Sequence, residues 1–293
     1  MTDYNIDFLI AGLVFLIFLL IHFQRYKKLN NISGRTFWFL IIAGIFDIIF
    51  DLLSSILLVK SNPAYNSWMI FFSTMLYILQ MIVVYIFYNY TQALRHCDED
   101  IRTRNIKIMA VPILCMEVAI VTNVLHKQFF YCNEQGQYVH GKAYLVTYIF
   151  TLICIAAVII NCFINQEEYQ KNELRAIKEF LGVALVCVTV QMKFQSVLMT
   201  GFGLSLGITI LFWALYNPQL YIDSLTGSYS KGYFRRWFPE QIKRKRELHL
   251  LMIDLWKLKQ VNKLYGVTIG DELLIQIAEY LHKINETNHV FRI

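Results

Sequence analysis

Two phrases near the C-terminus gather the residue types that handle phosphates and metal ions. They are DSLTGSYSKGYF at 223–234 and LLMIDLWKLKQVNKLYGVTIGDELL at 250–274. An apolar, strand-like run at 248–253 ends on one carboxylate, Asp254. Leu258, Val261, Leu264 and Tyr265 follow at three- and four-residue spacing, the period of an amphipathic helix. A G-x-x-x-G-D segment at 266–271 then opens a second amphipathic pattern that runs to about Ile284. A carboxylate at a strand tip, beside helix starts rich in free backbone N–H, suits a divalent cation and phosphates. The same order of strand, acid and helix also occurs in α/β proteins that bind nothing there, so physical chemistry alone leaves both readings open.

The pair of phrases resembles the N-terminal half of a GGDEF domain, the catalytic domain of diguanylate cyclases. That family's pattern runs roughly D-x-L-T-G-L-x-N-R-R-x-F, then D-I-D-x-F-K-x-I-N-D-x-Y-G-H-x-x-G-D-x-x-L. The chain supplies Asp223, Leu225, Thr226, Gly227 and Phe234 for the first phrase. For the second it supplies Asp254, Lys259, Asn262, Tyr265, Gly266, Gly270, Asp271 and Leu274, in register without a gap. The resemblance implies conversion of two GTP into cyclic di-GMP by a homodimer whose two domains meet face to face. It implies Mg²⁺ held by Asp254 with the Leu255 carbonyl, and hard oxygen ligands of this kind suit that ion. It places backbone N–H groups near Lys257 and Leu258 against the terminal phosphates. Asn262 and Asp271 would read the guanine edge, where an amide and a carboxylate match its donors and acceptors. Asp223 paired with Arg292 would hold the turn that opens the domain.

The chain departs from the pattern at several positions. Trp256 stands where the family usually has a second Asp, Leu258 where it has Phe, and Lys263 where it has Asp. Val267 replaces the usual His, and Ser230-Lys231 replace Asn-Arg. The phrase VFRI at 290–293 is similar to the strand that precedes the GGDEF turn. That turn, with the second metal carboxylate and the nucleophile-activating acid, is expected beyond Ile293. On this reading the domain is cut short, its catalytic residues are unassigned, and the chain as written is expected not to cyclise GTP. The alternative is a non-catalytic receptor or GTP-sensing module that keeps Asn262 and Asp271.

The elements that must carry this piece are of another kind. With 57% apolar and 16% charged residues in 293, the chain is too apolar for a soluble α/β domain. The apolar residues fall in blocks of about 17 to 24, the length of a membrane span. Seven such blocks are read, at 7–23, 37–59, 68–90, 106–125, 144–164, 176–192 and 197–216. The expected fold class is therefore an α-helical integral membrane bundle of about seven spans, residues 1–219, followed by a partial α/β domain of GGDEF type, residues 220–293. The leader MTDYNID carries acids and no Lys or Arg, so an uncleaved first span is expected rather than a signal peptide. Of the 27 Lys and Arg, 23 fall on one side of such a bundle. The positive-inside rule then puts the N-terminus outside, the C-terminus in the cytoplasm, and the protein in the cell membrane.

The net charge of +6 thus belongs to a face turned towards anionic lipid, and no nucleic-acid partner is expected. The KRKR run at 243–246 lacks interleaved aromatics and is read as a solvated helix face. The six cysteines show no C-x-x-C or Cys/His ligand spacing, so neither a disulfide framework nor a zinc site is implied. Triplets at Asn31 and Asn285 fall on the cytoplasmic side and are set aside as glycosylation sites. Within the membrane half, Asp47 and Asp51 lie four residues apart on one helix face, and Glu117 lies within the fourth block. Intramembrane carboxylates face a bundle interior or a water-filled cavity. They form either a ligand pocket or polar glue between helices, with Asn123, Gln191 and Lys193 towards the helix ends.

Overall fold

The computed structural model describes residues 6–25, 32–60, 63–133, 135–194, 197–216, 222–243, 247–284 and 289–293. Asn31, Asn285 and residues 244–246 of the KRKR run lie outside the described residues. The chain divides into two compact units, Met1–Leu215 and Tyr216–Ile293.

The first unit is built from long helices: α1 (Asp7–Arg25), α2 (Ile32–Lys60), α3 (Asn66–Leu94), α4 (Glu99–Val121), the single turn α5 (Asn123–His126), α6 (Tyr144–Ile164), α7 (Lys171–Lys193) and α8 (Thr200–Tyr216). Five of the apolar blocks expected from the sequence fall within one long helix, while 106–125 runs past α4 into α5 and 197–216 begins ahead of α8; seven spans are not supported. Four segments among the described residues are long and apolar enough to cross a bilayer: Asp7–Gln24, Ile32–Leu58, Pro63–Leu94 and Tyr144–Ile164. The other three fail for identifiable reasons. Helix α4 carries Glu99, Asp100, Arg102, Arg104 and Lys107 in its first turns and Glu117 later. Helix α7 carries Lys171, Glu173, Arg175, Lys178, Glu179 and Lys193. The apolar part of α8, Thr200–Leu215, is short.

The unit's exterior is apolar, and its core, itself largely apolar, also holds polar side chains. Val14, Phe15, Phe18 and Ile21 of α1 point outward, while Asp47, Asp51, Ser54, Ser55, Ser73 and Gln92 are buried. An apolar exterior with polar groups turned inward is what hydrocarbon surroundings select, because an outward polar group would go unsatisfied there. Small residues allow the close helix approach that such bundles use. A Cβ at Gly207 of α8 would meet the Phe180 ring of α7 at 2.6 Å, and Phe180 stacks on Phe87 of α3 at 4.0 Å.

Two features lock the helix ends. Arg95, buried just past α3, donates to Glu168 Oε2 at 2.5 Å and Asn165 Oδ1 at 2.6 Å. The neighbouring Gln92 donates to Asn161 Oδ1 at 3.0 Å and accepts from Asn105 at 3.3 Å, joining α3 to α6 and α4. At the α4–α6 connection a hairpin pairs β1 (Phe130–Cys132) antiparallel to β2 (Tyr138–His140). Buried Asn123 holds it, donating to the Phe130 carbonyl and accepting from the Phe129 N–H, both at 2.8 Å. Asn133 Oδ1 accepts from the Gln135 and Gln137 N–H groups to close the turn.

In the second unit, β3 (Tyr229–Ser230) lies parallel to β4 (Phe291–Arg292), with Tyr229 opposite Phe291. Parallel pairing needs a long crossover. It contains α9 (Lys231–Lys243), α10 (Leu258–Tyr265) and α11 (Val267–Ile284). Tyr229, Tyr233, Phe234 and Trp237 pack around β4: Phe234 and Trp237 lie 5.2 and 5.3 Å from the Phe291 ring. The strand expected at 248–253 does not form. Residues 247–255 carry no ladder pairing, and Leu251 and Met252 are 83% and 79% exposed. An apolar run becomes a strand only when a neighbour accepts its backbone hydrogen bonds, and among the described residues none lies beside it.

Arg95→Ala should lower the stability of the N-terminal unit by about 2 kcal/mol, less than the ~3–5 of a fully buried pair because Glu168 is 38% exposed. Thermal unfolding of the detergent-solubilised chain, followed by circular dichroism, checks it.

Candidate functional site

Two places merit the description of candidate site, one in each unit. In the C-terminal unit the opening turn is organised by Asp223. Its Oδ1 accepts from the Thr226 N–H at 3.0 Å, the Thr226 hydroxyl at 2.9 Å and Arg292 Nη1 at 2.8 Å. The Gly227 N–H donates to the Asp223 carbonyl at 3.0 Å, and Gly227 sits at φ +68°, a left-handed conformation that favours glycine. The Asp223–Arg292 pair expected from the sequence is therefore present. It fastens the turn before β3 to the end of β4, where the Tyr229 N–H donates to the Val290 carbonyl at 2.9 Å. Nearby, buried Ser228 hydrogen-bonds His282 Nε2 of α11 at 3.2 Å, a link that no sequence pattern announced.

Helices α10 and α11 fold against each other across Gly266, which sits at φ +89°. This hairpin brings Asn262 onto Gly270, the residue before Asp271. A Cβ at position 270 would occupy the place of Asn262 Oδ1 and come within 2.9 Å of its Cγ. The backbone of α11 thus forms a cradle that only glycine provides. Asn262 Oδ1 is buried there and, among the described residues, has no hydrogen-bond partner. An orphaned carbonyl of this kind needs a donor, and its cost without one is about 1–3 kcal/mol. The α10–α11 corner thus seats Asn262 on the residue that precedes Asp271 in the chain. The glycine that shapes this corner was visible in the G-x-x-x-G-D phrase, but as a helix start rather than as a seat for an amide.

The remaining sequence-chosen residues lie on the segment before α10. Asp254 is exposed and, among the described residues, makes no hydrogen bond or ion pair; Leu255 beside it is half-buried. Lys257 caps α10 in a left-handed conformation, φ +64°, with its ammonium 4.1 Å from the centroid of the Trp256 ring. Trp256 is 84% exposed, so it does not pack into a core. The Lys257 carbonyl accepts from the Gln260 and Val261 N–H groups. The N–H groups of Leu258 and Lys259 open the helix without intrahelical partners, as first-turn donors do. One carboxylate with an adjacent carbonyl fits Mg²⁺, which keeps several waters and is commonly shared with a nucleotide's phosphates. No group of three or more His, Cys, Asp or Glu that could hold a metal ion occurs among the described residues.

In the N-terminal unit Asp47 and Asp51 are both buried, and the Ser55 hydroxyl donates to Asp51. Glu117 is half-buried on α4 and does not line the cavity that Asp47 lines. Asn123 clamps the hairpin instead of facing a pocket, and Lys193 is exposed at the end of α7. Gln191 accepts from the Thr200 N–H at 2.8 Å, linking α7 to the start of α8.

Burial alone would push the Asp223 carboxyl up, but the hydrogen bonds from Arg292 and Thr226 outweigh it and hold the acid below its ordinary value. A depressed folded-state pKa means the contribution is complete above the unfolded value of ~3.9 and is lost as pH falls through the folded value. Hydrogen exchange at the Tyr229 amide should therefore show protection that is level near neutrality and weakens only below about pH 4. Asp223→Asn should remove that acid-dependent part and cost about 1 kcal/mol at neutral pH, since the pair is partly exposed.

Residues 220–293 match the family model described as the diguanylate cyclase GGDEF domain, so a GGDEF domain occupies this segment. No curated protein and no solved structure matches the chain.

Proposed function

We propose that this GGDEF-bearing chain is a membrane-bound signalling protein of the diguanylate cyclase type, whose segment 220–293 binds GTP with Mg²⁺. The observation that carries the reading is the orphaned Asn262 carbonyl seated on Gly270 beside Asp271, inside the segment that matches the family. A guanine edge offers N–H donors for that carbonyl and for the Asp271 carboxylate, and acceptors for the amide. The free N–H groups at the start of α10, near Lys257 and Leu258, suit the terminal phosphates. Asp254 and the Leu255 carbonyl would hold Mg²⁺, which supplies charge neutralisation on the phosphates when bound. A diguanylate cyclase joins two GTP into one cyclic dinucleotide and releases two pyrophosphates, with a second copy of the chain supplying the other GTP. Residues 1–219 form the membrane region. The excess of Lys and Arg on one side favours an outside N-terminus and a cytoplasmic GGDEF domain.

A second reading, nucleotide sensing without turnover, is favoured by one feature. Trp256 stands exposed two residues past Asp254, where the family usually has a second acid.

Titration calorimetry of the full-length chain in detergent, with GTP or ATP and Mg²⁺, tests the site. GTP should bind more tightly than ATP, and Asn262→Ala should weaken GTP by about tenfold or more. Gly270→Ala should weaken it comparably by evicting the Asn262 side chain, and the double variant should lose little beyond either single one. Equal binding of ATP and GTP, or additive losses, would sink the proposal. Chromatography of a GTP incubation with the chain extended through a GGDEF turn then separates the two readings: cyclic di-GMP supports the cyclase, and bound GTP without it supports the sensor.

A further inference from the structure

Between α2, α3, α6, α7 and the start of α8 lies a cavity of about 130 Å³. Its walls are mostly apolar, including Val83, Phe87, Val158, Leu181 and Leu204, but Asp47 lines it as well. Asp47 is 5% exposed, and among the described residues its Oδ1 has no hydrogen-bond partner. Thr200 Oγ1, on the same lining, is likewise buried and unpartnered. Gln80 also lines the cavity, and three further polar side chains on the wall are already engaged. Gln191 accepts from the Thr200 N–H and is hydrogen-bonded to Tyr148, and Thr151 donates to the Thr147 carbonyl. Among the described residues no Lys, Arg or His lines the cavity.

These facts define a complementary molecule. Two free acceptors, one of them a carboxyl, call for a group with at least two N–H or O–H donors. An acid with no basic partner in low-dielectric surroundings is best complemented by a cation. The apolar walls call for a compact hydrocarbon body. A cavity of ~150 Å³ holds benzene, so a body of about that size fits. A carboxyl torsion about the last side-chain bond is broad and two-fold, so either Asp47 oxygen can face the occupant.

We propose that this cavity is a binding site for a small primary amine with a compact apolar or aromatic body, its nitrogen donating to Asp47 and Thr200 Oγ1. The occupant would bridge α2 to α8, the helix that leads out of the N-terminal unit. The site stands independently of the nucleotide reading, since nothing in it involves residues 220–293.

The probes are 4-fluorobenzylamine and 4-fluorobenzyl alcohol, which share a body and differ in charge. Affinities come from fluorine NMR titration of the full chain in detergent, with protein-free micelles as the blank. The amine should bind more tightly than the alcohol. Asp47→Asn should weaken the amine by about tenfold or more and the alcohol by no more than about twofold. Ala184→Leu fills the cavity from α7 without touching the carboxyl, and should weaken both probes. Equal affinity of amine and alcohol for the unaltered chain overturns the proposal. So does an amine affinity indifferent to Ala184→Leu, which would assign the effect to partition into detergent. Should Asp47→Asn not fold, the other two comparisons decide the matter.

Discussion

The constraint that governs the N-terminal unit is that hydrocarbon offers no hydrogen bonds. Every polar group placed in such a bundle must find its partner inside it, or remain a cost. The interior shows how this is met. Ser54 and Ser73 share a hydrogen bond between α2 and α3, and the Ser55 hydroxyl serves Asp51 one turn back. Gln92 serves Asn161 and Asn105 at once, and Arg95 divides its donors between Glu168 and Asn165. These contacts fix which helix faces meet, because moving any of them by a turn would strand a polar atom. The apolar exterior then follows by exclusion, with Phe18, Val118 and Phe163 left outward where water would penalise them.

The C-terminal unit works under the opposite constraint. Its strands are two residues each, too short to hold a sheet by ladder hydrogen bonds alone. Two things compensate. The Asp223–Arg292 pair joins the ends of the crossover, and the aromatic cluster around Phe291 supplies apolar burial. The hairpin of α10 and α11 is a separate joint, turned by Gly266 and closed by Asn262 on Gly270. Its candidate binding corner therefore depends on local turn chemistry more than on the sheet.

Sequence patterning was informative where a period or a spacing carried the physics. The 3.6-residue repeat of Leu258, Val261, Leu264 and Tyr265 gave α10, and the repeat beyond Gly266 gave α11. The Asp223–Arg292 pair was legible because both residues sat on matched phrases. Apolar length gave the long helices, but not the number of spans. The charged first turns of α4 and α7 break the apolar window, and a block boundary drawn on hydrophobicity passes over them. The run at 248–253 was misread as a strand because β patterning describes only one partner of a ladder. The hairpin at 130–140 had its turn residues, Asn133 and Gly136, in plain view. Its strands are three residues each, below the length at which alternation can be recognised.

Unpartnered buried atoms mark both candidate sites, but they do so only in company. His140 Nδ1 is buried without a partner too, yet its ring is wedged against Tyr138 and Tyr144 with centroids 5.1 and 4.7 Å away, and aromatic packing accounts for its position. Asn262 Oδ1 differs because a glycine, Gly270, leaves room for the side chain against the backbone of α11. Asp47 Oδ1 differs because it shares a cavity wall with Thr200 Oγ1 and with no base among the described residues. Asp51, one turn along the same helix face, is satisfied by Ser55 and so has less need of a ligand. A buried polar atom costs free energy whether or not function uses it. Only where the surrounding shape would accept the missing partner does that cost point to a ligand.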